Sequence, residues 1–322
     1  MIRFSGATPS GRVHLGNYLG AIQHWADRAD YHGDLYFVSD LHAMTKRYSP
    51  AQLRVLTREL HATLIASGIP AERIFVQSDL LAEHASLSWI LECVCTFGEA
   101  RRMTQFKEKS KGENGVRLGL LTYPTLMAAD ILLHGAQEVP VGDDQRQHVE
   151  LARSLARRFN TEYGEVFTVP RAVTPPVGAR IMDLAEPSRK MAKSSADAVG
   201  TIFLRDEPEI IERKISRAVT DSSGIVRYAP EEQPGVTNLV DILSTIRGEN
   251  PRELAESITG YAELKRMVTD AVLDRLRPIR KTIDELLADQ AELDRLRADA
   301  AELAVERARP RLHAAMQLAG IG

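Results

Sequence analysis

The feature of this sequence that most constrains its fold is an alternation of strand-length apolar runs with helical patterns across the first half. Short apolar runs lie at 2–5, 35–38, 73–77 and 138–141. The segments 15–29, 51–67, 84–97 and 143–160 repeat apolar residues at intervals of about 3.6, which predicts helices. Such alternation predicts an α/β domain with a parallel sheet and right-handed crossovers. Ligands of such sheets bind beyond the carboxyl ends of the strands.

The second half has a different pattern, because strand signals stop at about Pro208. Helical patterns cover 209–218, 236–247, 252–258, 262–287 and 293–318. The stretch 169–195, rich in Pro, Gly, Ser and Lys, is interpreted as the connection between the halves. We therefore predict a first domain over 1–184 and a helical domain over 185–290. The last helix, 291–322, is expected to pack back on the first domain.

Composition excludes several classes of protein. The 322 residues carry a net charge of −3, so overall charge does not indicate a nucleic-acid binder, and we expect no DNA partner. No apolar run reaches the roughly 18 residues that span a bilayer, and the first residues do not resemble a signal peptide. Cys93 and Cys95 are too few for a zinc site and are expected to be buried, reduced core residues. We expect a cytoplasmic protein with no membrane partner.

One candidate anion site lies where the first predicted strand meets the first predicted helix. The segment 5–11, Ser-Gly-Ala-Thr-Pro-Ser-Gly, leads into 14–17, His-Leu-Gly-Asn. Free backbone N–H groups and the positive end of a helix dipole favour phosphate there. His14 and Asn17 stand on one face of the first turn, where both can donate hydrogen bonds. The alternative is a plain helix start, with Gly16 serving close packing.

A second candidate is the lysine segment 190–195, Lys-Met-Ala-Lys-Ser-Ser, with Lys190 and Lys193 three residues apart. A short loop with two lysines can close over a polyphosphate and neutralise developing charge. By itself it is as well explained as a solvated basic linker. The common phosphate-loop and dinucleotide motifs are absent from the sequence, so nucleotide binding would use these two segments instead.

Together the two segments resemble the signature motifs of class I aminoacyl-tRNA synthetases, His-Ile-Gly-His and Lys-Met-Ser-Lys-Ser. Asn17 replaces the second histidine, as in the tryptophan subclass, and Ala192 replaces the first serine of the lysine motif. Segments 103–110, 121–132, 140–145 and 178–182 also resemble tryptophanyl-tRNA synthetases, and the similarity weakens through the helical third. The resemblance implies a Rossmann-like nucleotide-binding domain followed by a helical anticodon-binding domain.

The residues around Asp130 fit an indole ligand. Asp130 is the only charge in the apolar run 126–133, and a buried carboxylate is costly unless paired. An indole offers one N–H and no acceptor, and Met127, one turn earlier, can pack on a flat ring. Such a site rejects phenylalanine, which would leave the carboxylate unpaired. The alternative is that Asp130 pairs with a distant arginine or a backbone N–H.

The resemblance implies an ATP-dependent tryptophan–tRNA ligase that uses L-tryptophan, ATP, Mg²⁺ and tRNA(Trp) and forms a homodimer. Its implied catalytic residues are Lys109, Lys190 and Lys193. Its implied ATP-binding residues are Thr8, Ser10, His14, Gly16, Asn17, Gly142, Asp144, Ile181, Lys190, Met191, Lys193 and Ser194. Its implied tryptophan-binding residues are Phe4, His42, Tyr123, Met127, Asp130, Val141 and Gln145. No residue is predicted to bind a resident metal.

Three alternatives stay open at the level of sequence. A tyrosyl-tRNA synthetase shares the fold and the motifs, although Met127 with Asp130 suits an indole better than a phenol. A non-catalytic or auxiliary synthetase paralogue need not keep His14 and the two lysines. A small nucleotidylyltransferase would leave the long helical half unexplained. The basic stretch 265–281 could contact tRNA phosphates, or it could be an ordinary solvated helix face.

Overall fold

The computed structural model describes residues 2–28, 30–110, 115–142, 145–174, 180–192 and 199–321. Its strands all pair in parallel, which confirms the predicted α/β architecture. The strands are β1 (Phe4–Ala7), β2 (Leu35–Val38), β3 (Ile74–Val76), β4 (Glu138–Pro140) and β5 (Arg171–Val173). A bridge between Arg3 and Glu138 places β4 beside β1, so the spatial order is β5, β4, β1, β2, β3.

β5 was missed, because its residues lie inside the stretch interpreted as a connection. It spans only three residues, none of them buried, and a polar arginine begins it. A strand this short and exposed leaves little periodic signal in the sequence. The predicted boundaries of the other strands agree with the observed ones to within two residues, as is usual at element ends.

Helices connect the strands and form the second half. The first is a continuous segment made of α1 (Leu15–Asn17), a π-helical turn (Tyr18–Ile22) and α2 (Gln23–Ala26). The others before β5 are α3 (Asp40–Ala43), α4 (Pro50–Ala66), α5 (Leu81–Val94), α6 (Phe97–Arg102), α7 (Thr104–Lys109), α8 (Leu118–Leu133) and α9 (Arg146–Tyr163). Those after it are α10 (Pro208–Ser216), α11 (Pro234–Arg247), α12 (Pro251–Glu256), α13 (Tyr261–Ala288) and α14 (Gln290–Leu318).

Two apolar clusters lie on opposite faces of the sheet. One joins the first helical segment, Tyr36 and Val38 to the buried faces of α11 and α13. The other joins Phe4, Phe37 and Phe75 to α5, α8, α9 and the alanine-rich face of α14. The last helix therefore packs against the first half of the chain. The exact domain boundaries near 184 and 290 stay predictions.

The prediction that both cysteines are buried is wrong. Cys93 is exposed and Cys95 is half-buried, and neither is in a disulfide. Cys93 lies in the last turn of α5, and Cys95 is the residue that follows this helix. None of the helices in the described part of the chain is long and apolar enough to cross a membrane.

Candidate active site

A cavity of about 860 Å³ opens at the carboxyl ends of β1, β2 and β4. This is the edge of the sheet where the fold predicts a ligand. Eleven of the residues predicted to bind ligands line it: Phe4, Thr8, Ser10, His42, Tyr123, Met127, Asp130, Val141, Gly142, Gln145 and Lys190. The structure thus gathers all seven predicted tryptophan-binding residues and four of the predicted ATP-binding residues around one space. Five other predicted ATP-binding residues do not line it: His14, Gly16, Asn17, Ile181 and Met191.

Asp130 forms part of the cavity wall, and its side chain is fully buried. Its Oδ2 lies 2.7 Å from His42 Nε2, and its Oδ1 accepts a hydrogen bond from Gln77 Nε2 at 2.7 Å. His84 Nδ1 also lies 2.7 Å from Oδ1, although its ring N–H is not aligned for a hydrogen bond. The carboxylate is thus held by side chains, and neither a distant arginine nor a ligand is needed to explain its burial.

The charge on Asp130 follows from these contacts. Burial alone would raise the pKa of its carboxyl, but His42 and His84 beside it hold that pKa well below its ordinary value. Asp130 is therefore an ionised acceptor at neutral pH, and it faces a largely apolar wall that includes Met127, Phe4 and Val141. Such a site favours a flat apolar group that carries one N–H donor.

Gln77 and His84 were not singled out from the sequence. Gln77 follows β3 and His84 lies on α5, and each is fully buried. A buried amide and a buried imidazole in otherwise apolar surroundings are a weak signal by themselves. Only the folded geometry shows that both point at the carboxylate of Asp130.

A second polar group lies on α8 two turns before Asp130. The Tyr123 hydroxyl is 2.8 Å from His148 Nε2, and the Tyr123 ring meets His42 edge-on, with centroids 6.1 Å apart. Gln145 stands just before α9 and also lines the cavity. A hydroxyl and an amide at this end can bind an ammonium group, which has only donors.

The first signature segment builds the start of α1. His14 Nδ1 accepts a hydrogen bond from the Asn17 backbone N–H at 3.2 Å, and Asn17 Oδ1 accepts one from the His14 N–H at 3.4 Å. The two side chains therefore form a reciprocal cap, as in a capping box. His14 is only 3% exposed. The structure thus gives both residues a structural role at the place where an anion site was predicted.

The second signature segment lies directly against the first. Met191 donates its backbone N–H to Ile181 O at 3.1 Å, and both side chains are buried. A Cβ placed on Gly16 would lie 3.4 Å from Met191 Cβ and 3.2 Å from His14 Nδ1. Glycine at 16 therefore permits this close approach. Gly20, one turn later, has nothing within 4 Å of such a Cβ and borders the cavity.

Some predicted residues lie outside the described part of the chain. These are Asp144, Lys193 and Ser194, and the side chain of Lys109 is also not described. In the segments that the structure does describe, no group of three or more His, Cys, Asp or Glu side chains is placed to hold a metal ion.

The basic stretch 265–281 is largely engaged within the protein. Lys265 Nζ donates to the carbonyls of Ser216 and Ala218, and Arg275 donates to the Ile246 carbonyl. Others pair with acids on or near the same helix: Arg266 with Asp270, Arg277 with Asp274, Arg280 with Glu207, and Lys281 with Glu285. These contacts favour the solvated-face interpretation over a dedicated phosphate-binding face.

Comparison with known proteins agrees with this geometry. Residues 1–277 match the family described as tRNA synthetases class I (W and Y). Tryptophan–tRNA ligase 1 of Streptomyces coelicolor is 48% identical over 325 aligned positions, covering 99% of this chain and 96% of that protein. The structure of tryptophanyl-tRNA synthetase from Mycoplasma pneumoniae superimposes with a TM-score of 0.88 at 35% identity, covering 100% of this chain and 98% of that one. That from Campylobacter jejuni, complexed with ADP and tryptophan, gives 0.83 at 29% identity over 100% of both chains.

Proposed function

This chain belongs to the class I tRNA synthetases of the tryptophan and tyrosine family, and we propose that its cavity joins L-tryptophan to ATP as tryptophanyl-adenylate before transfer to tRNA(Trp). The resemblance drawn from the two signature segments is thereby confirmed. The chain is an aminoacyl-tRNA synthetase, and its near full-length relatives act on tryptophan by name. The observation that carries the amino-acid specificity is the ionised, fully buried carboxylate of Asp130 in the cavity wall.

We assign the indole to the pocket between Met127, Phe4 and Val141, with its N–H donating to Asp130 Oδ2. His42 shares that oxygen and would position the ring edge. The ammonium group would bind at Tyr123 and Gln145. An indole can only donate, and an ionised carboxylate can only accept, so the pair is complementary without a proton change. A phenylalanine side chain would keep the His42 and Gln77 contacts but would place an apolar ring edge, with no donor, against the second acceptor position of Oδ2.

We assign ATP to the part of the cavity that is lined by Ser10, Gly20 and Lys190, beside the packed signature segments. The walls would come from Thr8, Ser10, the start of α1 and Gly142, with Ile181 and Met191 behind the adenine or ribose. Thr8 Oγ1 lies 2.9 Å from Ser39 Oγ, which fixes one polar corner of this space. Lys190 borders the cavity, and we expect Lys193, Ser194, Asp144 and Lys109 to complete the polyphosphate site.

The first step is a displacement at the α-phosphorus of ATP. The tryptophan carboxylate attacks in line, a C–O–P bond forms, and the bond to the bridging oxygen of pyrophosphate breaks. The nucleophile is already an anion, so no general base is needed, and catalysis depends on positioning and on charge stabilisation by Lys109, Lys190 and Lys193. We propose that Mg²⁺ enters with ATP, bound to its phosphates.

In the second step the 2′-hydroxyl of the terminal adenosine of tRNA attacks the activated carbonyl, and AMP leaves. We propose that the helical half positions tRNA(Trp) and that the enzyme acts in the cytoplasm. We also propose a homodimer. Trp89, Phe97 and Leu118 are 66%, 68% and 72% exposed on neighbouring helices, which is unusual for large apolar side chains on a free surface.

The experiment that tests this function is ATP–pyrophosphate exchange by the purified protein with tryptophan, tyrosine or phenylalanine. Exchange with tryptophan alone would support both the adenylation chemistry and the indole pocket. Exchange with tyrosine would keep the fold and refute the assignment of Asp130. Absence of exchange with all three, from folded protein, would favour the non-catalytic paralogue.

A further inference from the structure

Gln77 lies at the end of β3, outside the cavity, with its side chain directed at Asp130. Its Nε2 donates to Asp130 Oδ1 at 2.7 Å, and both residues are 0% exposed. We propose that Gln77 is a positioning residue that holds the plane of the Asp130 carboxylate so that its other oxygen points at the indole N–H. The proposal rests on the proposed function, since it concerns the same pocket.

The two oxygens of Asp130 are in different surroundings. Oδ1 is turned into the core, where Gln77 and His84 contact it. Oδ2 faces His42, whose side chain is 14% exposed and borders the cavity. The terminal torsion of an aspartate is broad and roughly two-fold, so the carboxylate turns easily unless a neighbour holds it. The amide of Gln77 opposes that rotation and keeps Oδ2 toward the ligand.

The turn that carries Gln77 is itself fastened to the segment that carries His42. The backbone N–H and the hydroxyl of Ser78 donate to Asp40 at 3.0 Å and 2.5 Å. Asp40 begins α3 two residues before His42. The contacts therefore close a ring that runs from Asp130 through Gln77, Ser78, Asp40 and His42 back to Asp130. Small displacements of a reacting group are costly in rate, so such a ring preserves the geometry of the pocket.

A neutral amide suits this role better than a basic side chain would. Lysine or arginine at the same place would form an ion pair with Asp130 and neutralise its negative charge. The amide orients the carboxylate and leaves its negative charge for the donor that enters the cavity, where a charge-assisted hydrogen bond is stronger than a neutral one. Gln77 therefore tunes selectivity for an N–H donor without touching the substrate.

The test separates this role from a general effect on folding. Gln77→Met keeps the length of the side chain and removes the amide. The kcat/KM of ATP–pyrophosphate exchange is measured with tryptophan and with 3-(benzothiophen-3-yl)alanine, in which sulfur replaces the indole N–H. The matched control is Thr63→Val, which removes a hydrogen bond from an equally buried hydroxyl to the Glu59 carbonyl within α4.

We expect the kcat/KM for tryptophan, divided by that for the benzothiophene analogue, to fall about tenfold in Gln77→Met. The same ratio should stay unchanged in Thr63→Val. An equal loss with both substrates, or no loss, would overturn the role of Gln77. Gln77→Asn, whose shorter amide cannot reach Oδ1, provides the same comparison if the methionine variant does not fold. A wild-type protein without tryptophan-dependent exchange would instead overturn the proposed function, and the role of Gln77 with it.

Discussion

His42 Nε2 and Asp130 Oδ2 lie 2.7 Å apart, and this contact joins the helix after β2 to the last turn of α8. The carboxylate therefore has a partner before any ligand arrives. An incoming indole N–H would share Oδ2 with His42 and would not replace it, because a carboxylate oxygen can accept two hydrogen bonds. The pocket is thus preformed around its acceptor, which lowers the reorganisation needed on binding.

Asp130→Asn is expected to lower kcat/KM for tryptophan by about 100-fold, since it removes the charge and offers N–H donors to His42 and Gln77. The KM for ATP should change little. Kinetics of ATP–pyrophosphate exchange measure both. Alanine at this position would leave the buried Gln77 amide without its acceptor and His42 and His84 beside a void, so it would also destabilise the protein and is the poorer test. A tryptophan kcat/KM within twofold of wild type would contradict the assignment.

Gly16→Ala is expected to raise the KM for ATP several-fold, because the new methyl group would press on the His14 ring, 3.2 Å away, at the start of α1. Gly20→Ala meets no atom of the protein within 4 Å. It should raise the KM for ATP only if the nucleotide lies against this helix. Exchange kinetics at varied ATP concentrations distinguish the two effects, and thermal unfolding of the free proteins shows whether either change disturbs the fold.

Gly119→Ala is the matched control for both substitutions. Gly119 lies near the start of α8, is exposed, and also has no atom within 4 Å of an added Cβ. Alanine there should slightly stabilise the protein through helix propensity and leave the kinetics unchanged. If the alanine variants of Gly16, Gly20 and Gly119 all have the same KM for ATP, the packing between the two signature segments has no part in ATP binding.

The sequence predicted the architecture because its signals are periodic. β2 has the predicted bounds, and α4 and α11 begin and end within two residues of the predicted ones. β5 lacked such a signal, since it has only three residues, none of them buried, and begins with a polar arginine. The burial of Cys93 was mispredicted because the type of residue says little about which face of α5 it occupies.

The site residues could be predicted where a sequence motif includes them. They could not be predicted where only tertiary packing brings them to the site. The residues lining the cavity come from segments with a family resemblance or from strand ends. Gln77 and His84 reach Asp130 only after three separate elements have packed, at sequence separations that no local pattern records. The capping role of His14 was also hidden, because a helix start and an anion site have the same sequence signature.

Acid should destabilise the protein partly through His61, and His61→Gln should reduce this effect. Burial lowers the pKa of His61 from its ordinary 6.5 to about 4. As pH falls below 6.5, His61 becomes protonated in the unfolded chain and stays neutral in the folded chain. The contribution to the free energy of unfolding that is present above pH 6.5 is therefore lost as the pH falls toward 4. The free energy of unfolding falls by at most about 1.4 kcal/mol per pH unit for one such group.

Denaturant unfolding at about pH 7 and about pH 5 measures this loss, and the glutamine variant should recover up to about 2 kcal/mol of it. His313→Gln, at an exposed position on α14, is the control and should leave the loss unchanged. Burial also lowers the pKa of His134, so some pH dependence will persist in His61→Gln. Identical pH profiles for wild type and His61→Gln would refute the assignment.

Arg297→Met is expected to destabilise the protein by about 1–2 kcal/mol, because it removes a bidentate pair between α14 and the turn that follows β3. Arg297 donates from Nε and Nη2 to the two oxygens of Asp79, each at 2.7 Å.

Arg295→Met is the matched control. Arg295 pairs with Glu292 and Asp299 on its own exposed helix face, where ion pairs contribute about 0–0.5 kcal/mol. Urea midpoints measure both changes, and since the turn also carries Gln77, Arg297→Met should in addition raise the KM for tryptophan. Equal destabilisation by the two substitutions would show that the Arg297–Asp79 pair contributes no more than an exposed ion pair.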